Sequence, residues 1–281
     1  MSQPIPTQIL SAQQLTFKRL SILTNSTRAM TQKKADYLWQ PVAYLTMFTL
    51  ALLAQTHVRA AGWEIDPVRI ELSPQQQTAA LTVKNNSDQA TSIQIQAVEW
   101  SQHEGKDVYN PTKELLVSPP IFTIAPKSEQ VIRVALRRQA DSTKELTYRI
   151  SLQELPPKQT SNFMGVNVAL RVSLPVFVQS EKGVTEPKMA WDVSRMPENQ
   201  LKVVLRNTGD THVQISDFAL YVPGSNSPIA DEAGSSYVLS GQTQEWRLKT
   251  NSLDKISGNR LHFIAYTDAV NIDTEIALRK P

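Results

Sequence analysis

The sequence predicts an all-β protein with two immunoglobulin-like β-sandwich domains in tandem. Three observations support this prediction. Apolar and polar residues alternate with a period of two over most of the chain after residue 61, which is the pattern of half-buried strands. No segment in that part carries a long apolar stripe at helical spacing. Strand-length segments recur roughly every ten residues between Pro, Asn, Asp and Gly, and this spacing is typical of a sandwich.

A first series of predicted strands occupies residues 61–182. Its opening strand begins at Trp63 and is expected to continue past Pro67 to Leu72, because the alternation persists on both sides of the proline. Asn85-Asn86-Ser87-Asp88 predicts a turn after the second strand. The other strands of this series are expected at 79–83, 92–100, 121–124, 130–136 and 146–155, with a long last strand over 163–178.

A second series follows the short polar segment Glu181–Pro187, which has the composition of a linker. Asn207-Thr208-Gly209-Asp210 predicts a turn between two of its strands. These strands are expected at 188–193, 201–205, 213–222, 245–248, 261–267 and 274–278. The expected domains are therefore 61–182 and 187–281, each close to the roughly 100 residues of an immunoglobulin-like sandwich.

The first 60 residues have the features of an export leader. Residues 30–60 match a signal peptide, with two lysines after Met30, an uncharged apolar stretch at 42–54 and a cleavage site after Ala60. That stretch is short for a stable membrane anchor, which is the alternative interpretation. Residues 1–29 carry no acidic side chain and no core pattern, so we interpret them as an over-extended start. The mature protein is expected in a bacterial periplasm, without stable membrane insertion.

The charge distribution argues against a nucleic-acid partner. The formal net charge is +3, but six of the 29 Lys and Arg residues and only one of the 26 Asp and Glu residues lie in the first 60 positions. The remaining chain therefore carries 23 basic and 25 acidic side chains. A basic surface for phosphate contacts is not predicted for the mature protein.

Absent motifs argue against an enzyme and against a cofactor or metal. The chain has no cysteine, which excludes a disulfide scaffold and a thiol nucleophile. It also lacks P-loop, GxGxxG and GxSxG motifs. His103, His212 and His262 show no metal-ligand spacing, and we interpret them as surface or loop residues. Asp231 and Glu232 are interpreted as solvated charges in a Ser- and Gly-rich loop.

The most informative segment is Tyr148–Gln179. It opens with the pattern YxxxLxELPP, continues through a polar loop at 158–162, and ends in the long alternating strand over 163–178. Together with Arg69 in the first strand and the Pro-bounded turn of Ile121–Arg133, it resembles the PapD-like periplasmic chaperones of chaperone–usher pilus systems. The resemblance covers about 62–182 and extends more loosely over 187–281.

This resemblance implies a chaperone that binds, folds and caps pilus (fimbrial) subunits and delivers them to an outer-membrane usher, without a cofactor. In such proteins a strand of the first domain completes the sheet of a subunit that lacks its own final strand. The expected donor side chains share one face of the long strand and are Met164, Val166, Val168 and Leu170. The alternative is a strand that faces the core of its own domain, because every sandwich strand alternates.

The family also anchors the C-terminal carboxylate of the subunit on two basic residues in the inter-domain cleft. The resemblance places the first on Arg69, whose planar guanidinium suits a carboxylate. The second falls on Pro175, which cannot bind a carboxylate. Arg149 on the neighbouring strand is the preferred substitute, because Arg171 is expected to point away from the face that carries Leu170.

An inter-domain salt bridge of the family is also altered. Asp268 matches its acidic partner, but the basic partner falls on Gln179. These departures and the absence of cysteine resemble a divergent branch of the family, the archaic one.

Two other classes of protein share the predicted fold class. A pilus subunit would be a single incomplete sandwich, and the two complete strand series argue against it. An exported two-domain surface or carbohydrate-binding protein would need clustered exposed aromatic residues. The tryptophans of the mature chain are instead scattered and fit core positions, at Trp63, Trp100, Trp191 and Trp246.

Overall fold

The computed structural model describes residues 62–156, 168–183, 185–250, 254, 256 and 258–280. These residues form seventeen β-strands and no α-helix, and they belong to one compact unit that spans Ala60–Pro281. Two separate hydrophobic cores, one in each half of this unit, confirm the predicted fold class of two β-sandwich domains in tandem. The predicted leader lies outside the described residues.

Two sheets build the first domain. Its strands are β1 (Trp63–Asp66), β2 (Ile70–Leu72), β3 (Thr78–Asn85), β4 (Thr91–His103), β5 (Lys106–Pro111), β6 (Leu115–Ser118), β7 (Ile121–Ile124), β8 (Glu129–Leu136), β9 (Leu146–Leu155) and β10 (Arg171–Val178). One sheet has the order β1-β3-β8-β6. The other has the order β2-β10-β9-β4-β5, and β7 also pairs with β4. Alternate side chains of both sheets share one core, as a period of two requires.

The chain changes sheets at Pro67, between β1 and β2. β1 pairs antiparallel with β3, whereas β2 pairs in parallel with β10. Proline has no N–H to donate and interrupts a strand ladder, so the alternation from Trp63 to Leu72 belongs to two strands rather than to the one predicted. Arg69 consequently lies in the bend before β2, not within a strand, and its neighbour Ile70 pairs with Val176.

The last part of β10 is buried on both faces. Leu174, Val176 and Val178 belong to the core of the first domain. Phe177 points the other way and is also buried, in a cluster with a leucine of the second domain. Two-sided burial explains why this stretch is apolar without interruption, where the rest of the domain alternates.

Seven strands build the second domain. They are β11 (Met189–Met196), β12 (Gln200–Asn207), β13 (Val213–Tyr221), β14 (Pro228–Val238), β15 (Thr243–Lys249), β16 (Arg260–Thr267) and β17 (Ile272–Arg279). Their order is β14-β13-β16-β17-β11-β12-β15, with a short parallel contact between β11 and β17. Phe218 and Phe263 fill the centre of this core, and Trp191 packs against both rings.

Three strands, β5, β6 and β14, were not predicted from the sequence. Every residue of β5 is exposed, so this strand has no apolar face for a pattern to reveal. β6 has only four residues. β14 carries mostly small and charged side chains, and Asp231 and Glu232 lie on it rather than in a loop as predicted. Edge strands of this kind lack the alternation that identifies strands in sequence.

Each domain contains a buried asparagine with the same role. Asn85 ends β3 and Asn207 ends β12, and each is 1% exposed. Each side-chain oxygen accepts a hydrogen bond from the N–H two residues later, at Ser87 or Gly209. The amide nitrogens donate to the backbone carbonyl oxygens of Gln89, Ile124 and Ala125 in the first domain and of Thr211, Val238 and Leu239 in the second. Each asparagine therefore ties a turn to a neighbouring part of its sheet.

Replacing Asn85 or Asn207 with alanine is expected to lower the free energy of unfolding by about 1–3 kcal/mol, because buried carbonyl oxygens would lose their donor. Urea denaturation measures this change. Asn86→Ala is the matched control, since Asn86 is exposed and its amide reaches only Glu64, at 3.4 Å. The prediction is wrong if Asn85→Ala is as mild as Asn86→Ala.

Candidate functional site

The two domains meet through a cluster of aromatic side chains. Trp100 of β4 and Phe177 of β10 pack with Leu239 and Tyr237 of the second domain. The rings of Trp100 and Tyr237 stand edge to face with centroids 5.5 Å apart, a geometry that aromatic pairs favour. Trp100 and Phe177 are each 1% exposed. Each domain therefore covers apolar surface of the other.

Gln102 fixes the position of Tyr237 in this aromatic cluster. Its Nε2 donates to the backbone oxygen of Tyr237 at 2.8 Å, and its Oε1 accepts from the N–H of Leu239 at 3.0 Å. A side-chain amide that uses both of its ends in this way ties β4 to the end of β14. The Tyr237 side chain is consequently held at the domain junction.

An ion pair joins the domains beside the aromatic cluster. Arg69 Nη1 lies 2.9 Å from Asp268 Oδ2, and Arg69 Nη2 lies 3.1 Å from Glu71 Oε1. The other oxygen of Asp268 accepts from the N–H of Gln214 at 2.8 Å. Burial by itself raises the pKa of Asp268, but the bonds from His212, Gln214 and Arg69 outweigh it and hold the pKa below its ordinary value.

His212 is buried between two carboxylates. Its Nδ1 lies 2.7 Å from Glu145 Oε2, and its Nε2 lies 3.6 Å from Asp268 Oδ2. The ring stacks on Phe177 with centroids 3.5 Å apart. Burial by itself lowers the pKa of His212, but the nearby carboxylates of Asp268 and Glu145, the latter hydrogen bonded to Nδ1, outweigh it, so the pKa lies above its ordinary value. The imidazolium form therefore joins the two domains electrostatically.

A cleft of about 210 Å³ opens beside these residues. Side chains of both domains and of the connecting segment line it, and among them Arg69 and His212 face Glu71, Glu145 and Asp268. The charged groups of this cleft are thus already paired with each other. The resemblance placed the basic partner of Asp268 at Gln179, which carries no charge; in the structure Arg69 and His212 are the basic groups beside Asp268.

Arg149 occupies the aromatic side of the junction. It lies on β9 directly opposite Pro175 of β10. Its guanidinium carbon is 4.0 Å from the centroid of the Trp100 ring and 5.9 Å from that of Tyr237, distances typical of cation–π contacts. Among the described residues no carboxylate forms an ion pair with Arg149, and its buried Nε has no hydrogen-bond partner. Arg171, by contrast, donates from its Nε to the Ser151 hydroxyl at 2.9 Å.

The expected donor segment is described only from residue 168 onward, and Met164 and Val166 lie outside the described residues. β10 begins at Arg171, so the described part of the strand is shorter than predicted. Val168 is 78% exposed and Leu170 is 37% exposed. Neither residue is therefore buried in the core of its own domain.

One edge of β10 is open over most of its length. Arg171–Val178 pair with β9 on one side, and the Leu170 oxygen accepts from the Glu154 N–H on that same side. On the other side, β2 pairs only with Val176–Val178. In the part of the chain that the structure describes, no strand pairs with Val168–Pro175 on that edge. This part of β10 therefore pairs on one side only.

Three residues of the junction were missed by sequence reasoning. His212 was interpreted as a surface or loop residue, yet its side chain is only 10% exposed. Glu145 and Tyr237 drew no attention. These residues are far apart in the chain, so no spacing pattern connects them. The one sequence feature that could have indicated the position of His212 is the Asn207–Asp210 turn, which places this residue at the end of the second domain.

The described residues hold no cluster of three or more His, Asp or Glu side chains suited to a metal ion. None of the described elements is a helix with the length and apolar character needed to cross a membrane.

Residues 62–182 match the family of pili and flagellar-assembly chaperones, through the model of the PapD N-terminal domain. The first domain is a PapD-type chaperone domain. This match confirms the predicted resemblance, and it covers Arg69, Arg149 and the donor segment. No curated protein sequence matches the chain significantly.

Solved structures extend the similarity to both domains of the protein. A chain of the CsuC–CsuE chaperone–tip adhesion subunit pre-assembly complex, from the archaic Csu pili of Acinetobacter baumannii, aligns with a TM-score of 0.57 and 22% identity, covering 79% of this chain and 100% of that one. The CupB2 chaperone of Pseudomonas aeruginosa aligns with a TM-score of 0.51 and 15% identity over 76% and 100%. A chain of the Salmonella enterica SafA pilin–SafB chaperone complex gives 0.51 and 15% over 78% and 96%. These proteins share its fold.

His212 is expected to make the stability of the protein depend on pH. Because the pKa of His212 is raised by folding, its contribution is fully present below the ordinary value of 6.5 and is lost as the pH rises through the raised value. Urea denaturation from about pH 6 to about pH 9 measures this loss.

His212→Gln is expected to flatten this pH dependence. His103→Gln is the control, because the His103 side chain is 82% exposed. Equal pH dependence in the two variants would show that the buried pair of His212 and Glu145 does not carry the effect.

Proposed function

We propose that this protein is a periplasmic chaperone that captures pilus subunits by donor-strand complementation and delivers them to an outer-membrane usher. The observation that carries the proposal is the open edge of β10, with the exposed apolar side chains of Val168 and Leu170 beside it. Unpaired edges with exposed apolar residues invite another strand to pair. The family match and the shared fold support the proposal.

The geometry of β10 sets where a subunit strand would pair. From Val168 to Pro175 the edge is free to offer backbone N–H and C=O groups to an incomplete sheet. Val168 and Leu170, together with Met164 and Val166 of the same alternating face, would enter the groove left by the missing subunit strand. Pro175 has no N–H, and β2 occupies the edge from Val176 onward. Subunit pairing would therefore end at Pro175.

The end of this donor edge lies at the domain junction. Pro175 pairs with Arg149, and Val176 pairs with Ile70, which follows Arg69. A subunit strand that ran parallel to β10 would therefore bring its C-terminal carboxylate to Arg69 and Arg149. A guanidinium can bind both oxygens of a carboxylate, which fixes the register of the captured strand.

Export and binding complete the proposal. The signal peptide expected at residues 30–60 would deliver the chain to the periplasm, with Ala61 as its first mature residue. Capture and release then require only strand pairing and ion pairing, so the chaperone acts without catalysis. The departures at Pro175 and Gln179 place it with the archaic branch of the family in this proposal.

Val168→Asp is expected to abolish subunit capture, because an unpaired charge in an apolar groove costs at least several kcal/mol. The measurement begins with the subunit that co-purifies with the wild-type protein from periplasm, identified by mass spectrometry. That subunit is then co-produced with each variant, and the ratio of subunit to chaperone is determined.

Val131→Asp is the matched control for the donor edge, because Val131 is 46% exposed on β8 of the other sheet. It should capture the subunit normally. Undiminished capture by Val168→Asp would refute the donor assignment. An unfolded Val168→Asp protein would also refute it, since the strand would then belong to the chaperone's own core.

Arg69→Ala is expected to weaken subunit capture by about 2–5 kcal/mol, because the carboxylate of the subunit would lose its charged partner. Arg69→Lys should restore only part of the binding, as it lacks the planar fork. Arg149→Ala should also weaken capture if Arg149 replaces the cation missing at Pro175. The dissociation constant of the co-purified subunit measures each effect.

Asp268→Asn separates anchoring from the integrity of the junction. It also removes the ion pair between Arg69 and Asp268 but leaves the guanidinium in place. Capture by Asp268→Asn should stay close to that of the wild type. If Asp268→Asn and Arg69→Ala lose capture equally, the loss comes from damage to the domain junction, and the anchor role of Arg69 is wrong.

A further inference from the structure

Tyr237 lies beside the residues proposed to anchor the subunit. Strand register pairs it with Gln214, whose N–H binds the Asp268 carboxylate that holds Arg69. On its other side, the Tyr237 ring lies 5.9 Å from the guanidinium carbon of Arg149. A residue of the second domain thus stands between two cations of the first.

Both cations act on the Tyr237 hydroxyl. Burial raises the pKa of Tyr237, and the charges of Arg69 and Arg149 oppose this rise. Because the Tyr237 ring lies only 5.9 Å from the guanidinium carbon of Arg149, an anion bound by Arg149 would lie next to Tyr237.

The two cations differ in how they are satisfied. The terminal nitrogens of Arg69 already bind Asp268 and Glu71. Arg149 has no ion-pair partner among the described residues, and its buried Nε donates to nothing there. The carboxylate of Asp107 does not pair with Arg149 either; it is hydrogen bonded to the side chains of Gln102 and Tyr109. Because a buried donor without a partner is costly, the side of the junction near Arg149 and Tyr237 is suited to an anion.

We propose that the Tyr237 hydroxyl donates a hydrogen bond to the C-terminal carboxylate of the captured subunit, so that the second domain completes the anchor. This inference rests on the proposed function and adds a residue that no basic motif reveals. Phenol and guanidinium donors converge on one acceptor, which makes the pocket selective for a free carboxylate. A terminal amide carries no charge and would direct its N–H groups at guanidinium groups, which have no acceptor to offer.

The placement of Tyr237 also explains the two hydrogen bonds of Gln102. Those bonds hold the backbone at Tyr237 and at Leu239. The edge-to-face contact with Trp100 orients the Tyr237 ring. A donor that is fixed before the ligand arrives loses little entropy on binding. The carboxylate pocket of the chaperone would thus be preorganised before the subunit binds.

The test uses Tyr237→Phe, which removes only the hydroxyl and keeps the ring that packs on Trp100. The probe is a synthetic peptide that copies the C-terminal segment of the co-purified subunit, made with a free carboxylate or with a terminal amide. Calorimetric titration should show that Tyr237→Phe weakens binding of the acid about tenfold or more and leaves binding of the amide unchanged. Tyr221→Phe, on β13 of the same domain, should bind both peptides like the wild type.

Three results would overturn the inference. If Tyr237→Phe bound the acid peptide as tightly as the wild type while Arg69→Ala still bound it weakly, Arg69 would anchor the carboxylate without Tyr237. Equal weakening of the acid and amide peptides by Tyr237→Phe would assign the effect to packing. If the wild type bound the acid and the amide peptides equally well, the proposed carboxylate pocket would not exist. Failure of the proposed function would look different, because then no subunit would be captured at all.

Discussion

The architecture of this protein depends on the two different neighbours that β10 has along its length. From Val176 onward β10 lies between β9 and β2, and it belongs to the interior of the molecule. Before Val176 it pairs with β9 alone. Two prolines set this division, because Pro67 ends β1 and lets the chain cross to the other sheet as β2, and Pro175 cannot donate to a partner on the edge. One strand thereby serves the core at one end and leaves a pairing surface at the other.

The domain junction is placed by the buried end of that same strand. Phe177 leaves the first-domain core and stacks on His212 of the second domain. Beside this contact, Glu145 and Asp268 lie on either side of the imidazole. Buried ion pairs contribute little net stability because desolvation offsets their attraction. Their role here is geometric, since one relative arrangement of the two domains satisfies all of them.

The strands that could be predicted from sequence are those with one buried face. Alternation identified β4, β8 and β9 within a few residues, whereas the fully exposed β5 and the small-residue β14 have no such pattern. The switch of sheets at Pro67 was also missed, because alternation continues across it while the pairing partner changes. Sequence pattern reports which way a side chain points along a strand, but not which strand lies beside it.

The junction could be predicted only in part for a related reason. Arg69 and Arg149 were expected at the cleft from a family resemblance. Glu145 and His212 are brought together by turns that precede β9 and β13. No local sequence pattern predicts the contact between their side chains. The turn before His212 is specialised: a Cβ at Gly209 would lie 2.6 Å from the backbone nitrogen of Lys188. Only glycine fits this close approach, which leads the chain to His212.

If Arg69 anchors a subunit as proposed, its paired state explains how the cleft stays stable before the subunit binds. A half-buried guanidinium without a partner would be costly, and Asp268 and Glu71 remove that cost by binding its two terminal nitrogens. Asp268 in turn also contacts His212 and the N–H of Gln214, so it keeps partners if Arg69 turns toward an incoming carboxylate. The exchange then replaces one ion pair with another and leaves no buried charge alone. Under the proposed function, Asp268 is therefore a suitable partner for Arg69 before subunit binding, because it keeps other donors when Arg69 leaves it.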